Sequence, residues 1–292
     1  MKKPTKILNP VIKWSGSKRK VAIELSDKFL SQGRYFEPFV GGGSMLPFRG
    51  VQNGVASDII PELIALWNEI KNNPESTANE YKVRWNKLQN EGHEIYYEIR
   101  DNFNKTKNPF DFLFLTRTCV NGLIRYNSDG EFNNSMHKNR PGINPERLKG
   151  ILKDWSFLIK GIEFLEQDYR ETLSLATKKD FVFLDPPYGG TKGRYTKNEF
   201  IVSDFYNELE KLNSKGVSWM LTFDGNAGER EYDFQLPKEI YKNKFFVQTG
   251  NSPFTKLMKT SIDKINEAVY TNYNFKNLNS KQGNKQYVLE SI

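Results

Sequence analysis

The sequence predicts an α/β protein built on a predominantly parallel sheet and interrupted by a mainly helical insertion. Three observations carry this reading. Short apolar runs bounded by turn formers alternate with stretches of helical periodicity. Strands separated by helices point to parallel pairing. The strand candidates are also unevenly spread, with two before residue 60 and five after residue 160. A chain of 292 residues, 37% hydrophobic and 14% aromatic, has material for a sizeable core and is unlike a disordered segment.

The chain opens with Lys2, Lys3, Lys6, Lys13, Lys18, Arg19 and Lys20 before its first acid, Glu24. Such a run suits a solvated tail or an ordered binding loop, and Trp14 and Gly16 within it favour the loop. Aromatic, glycine and lysine within Trp14–Lys18 could clamp a carboxylate and cover an adenosyl group, or equally form a phosphate-contacting arm.

The first strand candidate, Tyr35–Val40, contains Glu37 and Phe39 and feeds Gly41-Gly42-Gly43, where a ligand can approach the backbone closely. The second, Val55–Ser57, ends at Asp58, an acid well placed to hold ribose hydroxyls. The spacing is not G-x-G-x-x-G, so loop and acid together suggest an adenosine-containing ligand that need not carry a phosphate. Helical patterns follow over Pro61–Lys71, Glu75–Leu88, Phe110–Val120 and Pro145–Lys160, with a polar loop NSDGEFNNSMHKNRPG among them. Phe112, Phe114 and Leu115 read as helix core and Cys119 as a buried structural thiol. From Asp101 to Lys153 there are nine Lys/Arg and five Asp/Glu, a net of +4, so the insertion is moderately basic.

The remaining strand candidates are Ile162–Leu165, Phe181–Leu184, Val217–Phe223, Phe245–Val247 and Ala268–Tyr273, with a helix over Glu199–Leu212. Thr249–Lys264 reads as a polar loop near the target pocket. The sharpest motif is Phe181-Val-Phe-Leu-Asp185-Pro186-Pro187-Tyr188. Two prolines hold the chain extended after an apolar strand, leaving carbonyls and the Asp185 carboxylate as acceptors and Tyr188 as a stacking face. A planar base with an exocyclic amino group matches that set.

Composition narrows the chemistry. One cysteine excludes an intramolecular disulfide framework and a cysteine-rich zinc site, and two histidines leave little for a histidine-rich one. No segment resembles a signal peptide or a membrane helix. A cytoplasmic protein with no metal and no membrane partner is expected. The formal charge of +8 suits a polyanionic partner.

Trp14-Ser-Gly-Ser-Lys18, EPFVGGGS, Asp58 and DPPY occur in that order, with an insertion before DPPY. This resembles the Dam-type, α-ordered DNA adenine-N6 methyltransferases, which include many restriction–modification enzymes. FLFLTRTCVNGLIRYNSDGEF is similar to their target-recognition region and EAVYTNYNF to their last strand, so the likeness runs over about residues 10 to 275. It implies a Rossmann-like S-adenosylmethionine-dependent methyltransferase sheet formed by 1–60 and 161–292, with a DNA target-recognition domain inserted at 61–160. It also implies S-adenosylmethionine as methyl donor, contacted by Trp14, Lys18, Glu37, Phe39, Gly41, Gly43, Asp58 and Asp185. Asp168 resembles the acid near the cofactor adenine, and a solvated strand-end acid is an equal reading.

Asp185, Pro186, Pro187 and Tyr188 are then the catalytic motif, and Arg125, Asn133, Lys138 and Arg140 the expected DNA contacts. Many members that read GATC-like sites carry a proline where this chain has Ser135, so a different site is expected. The expected function is site-specific methylation of a flipped-out adenine in double-stranded DNA. A bacterial or phage restriction–modification system would add a cognate restriction endonuclease as partner. The alternatives are an RNA or protein amino-methyltransferase with the same DPPY chemistry and a DNA-binding regulator without activity.

Overall fold

The computed structural model describes residues 7–30, 33–48, 53–139, 141–187, 200–227, 236–251 and 264–274. Seven strands lie in one sheet: β1 Tyr35–Glu37, β2 Gly54–Asp58, β3 Ile162–Glu166, β4 Phe181–Leu184, β5 Ser218–Ala227, β6 Asn243–Asn251 and β7 Lys264–Thr271. Their order is β3-β2-β1-β4-β5-β7-β6. The pairs β1–β2, β1–β4, β2–β3 and β4–β5 are parallel, while β7 runs antiparallel between β5 and β6. The expected mixed, mainly parallel α/β sheet is therefore present.

Every strand candidate corresponds to an observed strand, but several limits move. β1 ends at Glu37 because Pro38 has no N–H to give and the chain turns into the glycine loop. The last three strands run longer than their apolar cores, and register shifts at Thr222/Gly225 and Gln248/Gly250 accommodate the polar ends. Of the expected loop Thr249–Lys264, Thr249–Asn251 close β6 and Lys264 opens β7, with 252–263 outside the described residues.

β4 sits at the centre with all four residues buried, as a parallel strand covered on both faces must be. Alternation along it splits the core. Phe181 and Phe183 join Tyr35 and Met220 on one face, whereas Val182 and Leu184 join Phe36, Trp219 and Leu221 on the other.

The described helices are α1 Ala22–Ser26, α2 Pro61–Asn72, α3 Pro74–Glu91, α4 Glu94–Thr106, α5 Pro109–Thr118, α6 Pro145–Leu158, α7 Tyr169–Ser174 and α8 Val202–Lys215. Proline opens α2, α3, α5 and α6, where its missing N–H costs nothing, and Asn108 and Asn144 cap α5 and α6. α4 was not expected, because its charged and amide residues mask Ile95, Tyr96, Ile99 and Phe103, which form its buried stripe. Phe112, Phe114, Leu115 and Cys119 are buried as expected.

The loop expected around NSDGEF is a two-stranded ribbon. Bridges join Cys119 to Met136 and Tyr126 to Phe132. Asn133 N–H donates to Arg125 O at 3.0 Å and Asn127 N–H to Glu131 O at 2.9 Å. Asn127 Oδ1 closes the turn by accepting the N–H groups of Asp129 and Glu131. The ribbon's polar sequence hides it; partners outside it hold it. Asn104 bonds both backbone groups of Phe132, and Tyr96 Oη donates to Asn134 O.

α2 joins the two parts of the molecule. Trp67 is buried, its ring stacks on Phe164 of β3 at 5.7 Å and 5°, and it lies 5.3 Å from Trp155 of α6. Its indole N–H donates to Gly41 O at 3.0 Å. No helix among the described residues is long and apolar enough to cross a membrane.

Trp67→Ala should cost about 3–5 kcal/mol of stability, the usual penalty for truncating a buried aromatic. Trp67→Phe should cost less, roughly 1–3 kcal/mol, chiefly from leaving the Gly41 carbonyl unpaired. Urea unfolding followed by circular dichroism checks both, and equal stability of all three proteins would contradict the packing described.

Candidate active site

Strand order reverses between β1 and β4, and in open α/β sheets the crevice at the carboxyl ends of strands flanking such a reversal is where ligands bind. Three carboxyl groups gather on this edge. Glu37 ends β1, Asp58 ends β2 and Asp185 follows β4 directly.

Asp58 anchors the glycine loop. Its Oδ2 accepts Gly41 N–H at 3.1 Å and its Oδ1 accepts Ile60 N–H at 3.3 Å. With Ile59 N–H as a further backbone partner, the carboxylate still has acceptor capacity for one more donor such as a ribose hydroxyl. Burial pushes its pKa up to about 6 against those hydrogen bonds. Gly41 and Gly43 both have positive φ, and a Cβ on Gly41 would come within 2.6 Å of Trp14 Nε1. One on Gly43 would meet Trp67 at 2.8 Å. The loop is thus pressed between two tryptophans, with Trp14 against Gly41 and Gly42 and Trp67 against Gly43.

Lys18 is 4% exposed and its ammonium is buried between two acids. Nζ lies 2.8 Å from Asp185 Oδ1 and 2.7 Å from Glu267 Oε1, and donates to Gly16 O at 3.1 Å. A bond of 2.7 Å between the Ser17 and Ser44 hydroxyls ties this N-terminal loop to the glycine loop. Thr222 Oγ1 donates to Asp185 Oδ1 at 3.0 Å. The described interactions of the Asp185 carboxylate fall on Oδ1. Burial raises the Asp185 pKa to about 6; the Lys18 charge pulls it down and Glu267 pushes it up.

Glu267 was not singled out from the sequence. Its signal is an acid heading the apolar run Ala268–Tyr270 in a strand flanked on both sides, a position where only a paired charge is tolerated. Glu37 is buried as well, accepts the Tyr35 hydroxyl at 2.8 Å, and is pushed up to about 8 by burial, with Asp185 adding to the shift. It is therefore largely protonated at neutral pH.

Phe39 stacks on Tyr169 at 5.2 Å and meets Phe200 and Phe205 edge-on, forming an aromatic wall beside the crevice. Asp168 caps α7 and accepts the backbone N–H and guanidinium of Arg170. Burial alone would raise its pKa, but these bonds win and hold it below the usual carboxylate value. Both its oxygens are thus engaged locally. Pro186 is buried and Pro187 exposed; Tyr188 lies outside the described residues.

Of the expected DNA contacts, Arg125 and Asn133 lie on the ribbon. Arg125 is exposed, and its Nε donates to Asn133 Oδ1 at 2.9 Å. Lys138 is exposed beyond the ribbon's end, and Arg140 lies outside the described residues. His137 Nδ1 accepts Asn139 N–H in a local turn. No cluster of three or more His, Cys, Asp or Glu suited to a metal occurs among the described residues.

A family model described as D12 class N6 adenine-specific DNA methyltransferase matches residues 14–252. A type II methyltransferase, M.MjaIII, of Methanocaldococcus jannaschii is 31% identical over 275 residues, covering 80% of this chain and 92% of the relative. A DNA adenine methylase of Haemophilus influenzae is 28% identical, covering 84% of this chain and 86% of the relative. The type II methyltransferase M1.LlaDCHI of Lactococcus lactis subsp. cremoris is 27% identical, covering 91% and 96%.

The raised values of Asp58 and Asp185 have a definite sign. Between about pH 4 and about 6 the folded protein holds protons that the unfolded chain has released, so these two groups stabilise most below that window and lose that contribution as pH rises through it. Carboxyl-carbon NMR should show Asp185 titrating near 6 rather than near 4. Lys18→Met should move its midpoint further up, because the only cation pulling it down is gone.

Proposed function

The chain belongs to the D12 class of N6 adenine-specific DNA methyltransferases, and from that membership we propose which residues carry the methyl transfer and how the target is reached. The sheet segments 1–60 and 161–292 form the catalytic part, and 61–160 selects the DNA, with α2 serving both. S-adenosylmethionine is the methyl donor that the family implies, and the crevice suits it. An acid free to take hydroxyl donors, a glycine loop under an indole and an aromatic wall converge at the strand reversal. That donor supplies an electrophilic methyl group on a sulfonium whose leaving thioether needs no acid.

The residues divide the remaining work. Asp58 holds the ribose hydroxyls; Trp14, Gly41 and Gly43 shape the adenosyl cleft; Phe39 lines its wall. Glu37 lies under the crevice floor as a largely neutral acid, so it adds no second negative charge beside Asp185. Asp168 joins only if Arg170 releases it. A target adenine must leave the stack to reach the crevice, which is the general solution for enzymes that modify bases. Asp185 Oδ2 and the Pro186 carbonyl then accept hydrogen bonds from its amino group, holding the nitrogen lone pair towards the methyl carbon. Pro187 keeps the motif extended and Tyr188 stacks on the base. As the nitrogen bonds carbon, it sheds a proton, and Asp185 is the nearest acceptor. Lys18 and Thr222 keep that carboxylate in one orientation, so most of the acceleration is positional. The observation that carries this reading is Asp185 fixed through Oδ1 at the strand reversal.

Recognition falls to the ribbon. Arg125, steadied by Asn133, suits guanine in the major groove, while Lys138 and Arg140 suit phosphates. Ser135 in place of the proline found in many GATC readers favours a different site. Two of the relatives are named type II methyltransferases. We read the cellular role as protective methylation alongside a cognate restriction endonuclease, in the compartment that holds the host's DNA.

Incubation with labelled S-adenosylmethionine and unmethylated duplex should yield N6-methyladenine in DNA and none in RNA. Asp185→Ala should lower turnover by at least about a thousandfold while binding to random duplex persists, as expected when a transition-state contact is removed. Activity of the intact enzyme should fall as pH drops through about 6, when Asp185 takes up a proton. Arg125→Ala should cost about 1–3 kcal/mol of discrimination at one base pair. An equal loss on cognate and random DNA would make Arg125 a phosphate contact.

A further inference from the structure

Two contacts tie the DNA-reading ribbon to the two loops that shape the cofactor crevice. The first is a hydrogen bond of 2.5 Å from the Tyr126 hydroxyl to Glu62 Oε1. Tyr126 follows Arg125 directly and pairs with Phe132 across the ribbon, its ring edge-on to Phe132 at 6.1 Å. Glu62 is buried in the first turn of α2, whose leading residue Ile60 donates its N–H to Asp58. The second contact is Gly122 at the ribbon's root. Its φ is +63°, and a Cβ there would overlap the side chain of Lys13, the neighbour of Trp14.

Contacts from α4 and from Lys107 brace the ribbon between these points. Lys107 Nζ donates to Gly130 O and sits 5.7 Å over the Tyr126 ring, while Asn104 brackets Phe132. A shift of Arg125 on a base edge therefore moves Tyr126 with it. The half-buried phenol stays a donor at any physiological pH, since desolvation and the charges of Glu62 and Asp58 push its pKa far up. The acceptor it holds lies just beyond the acid assigned to the ribose, in the first turn of the helix that follows β2.

Resting on the function proposed above, we infer that the Tyr126–Glu62 hydrogen bond is a positioning link through which cognate DNA on Arg125 and cofactor at Asp58 strengthen each other's binding. By linkage the effect is reciprocal, so it can be read from either ligand.

The test measures the affinity of a non-reactive amino analogue of S-adenosylmethionine by calorimetry, with and without a duplex carrying the site found in the methylated product. The wild-type protein should bind the analogue about tenfold tighter on cognate duplex, within the usual range of such couplings. Tyr126→Phe keeps the ring and removes only the hydroxyl; its ratio should fall below about threefold, with kcat at saturating ligand changed less than the KM for cofactor. Glu62→Gln retains an acceptor and should preserve most of the ratio. Glu62→Ala should lose it, and adding Tyr126→Phe to Glu62→Ala should lose nothing more. Thermal melting with each variant separates coupling from simple destabilisation. An unchanged ratio in folded Tyr126→Phe, or no ratio in an active wild-type enzyme, overturns the link alone. Absence of adenine methylation by the wild type overturns the functional reading beneath it.

Discussion

A lysine ammonium removed from water must be paired, and at Lys18 that requirement organises the centre of the molecule. Its two carboxylate partners come from the turn after β4 and from β7, positions 167 and 249 residues further along the chain (185 − 18 and 267 − 18). Satisfying one cation therefore draws the N-terminal loop across the sheet edge and brings Asp185 to a defined orientation. Two acids share one positive charge, and burial, with Glu267 adding to it against the pull of Lys18, lifts Asp185 to about 6. A carboxylate held in this way is both stronger as an acceptor and costlier to the fold than a solvated one.

The glycine loop follows from the same closure. With the N-terminal loop drawn in, Trp14 lies on Gly41 and Gly42, while Trp67 supports Gly43 from below and bonds the Gly41 carbonyl. Side chains at these positions would collide with indole rings. The loop is therefore small-residued for reasons of packing as well as for access to a ligand. Because Trp67 belongs to α2 and stacks on Phe164 and Trp155, the loop's position is set by helices that also carry the insertion. Crevice and helical insertion share one core rather than meeting at a separate interface.

The insertion itself stands on interactions with little apolar signature. Asn104, Tyr96, Lys107 and Glu62 reach the ribbon from the helices and from α2, each through a polar group. A ribbon fixed by hydrogen bonds rather than by its own hydrophobic face can present Arg125 and Asn133 to solvent without exposing apolar surface. That suits the DNA-contacting role proposed for it.

The strand cores were legible in the chain, because each holds an apolar run whose side chains have to be buried whatever their partners; the polar ends of the last three were not. The sequence by itself also determined the proline-opened helices, the DPPY turn and the acid ending β2, which depend on residues adjacent in the chain. The glycine loop was legible as a loop, though not as a bed for two tryptophans. What only the tertiary structure decided involves partners distant in sequence. Glu267 gains meaning only once Lys18 lies against it, and a polar stretch becomes a ribbon because Asn104 and Tyr96 supply its missing hydrogen bonds. Burial of apolar side chains is written locally in residue type and period. The pairing of buried charges and backbone polar groups depends on which segments the fold brings within about 3 Å of one another.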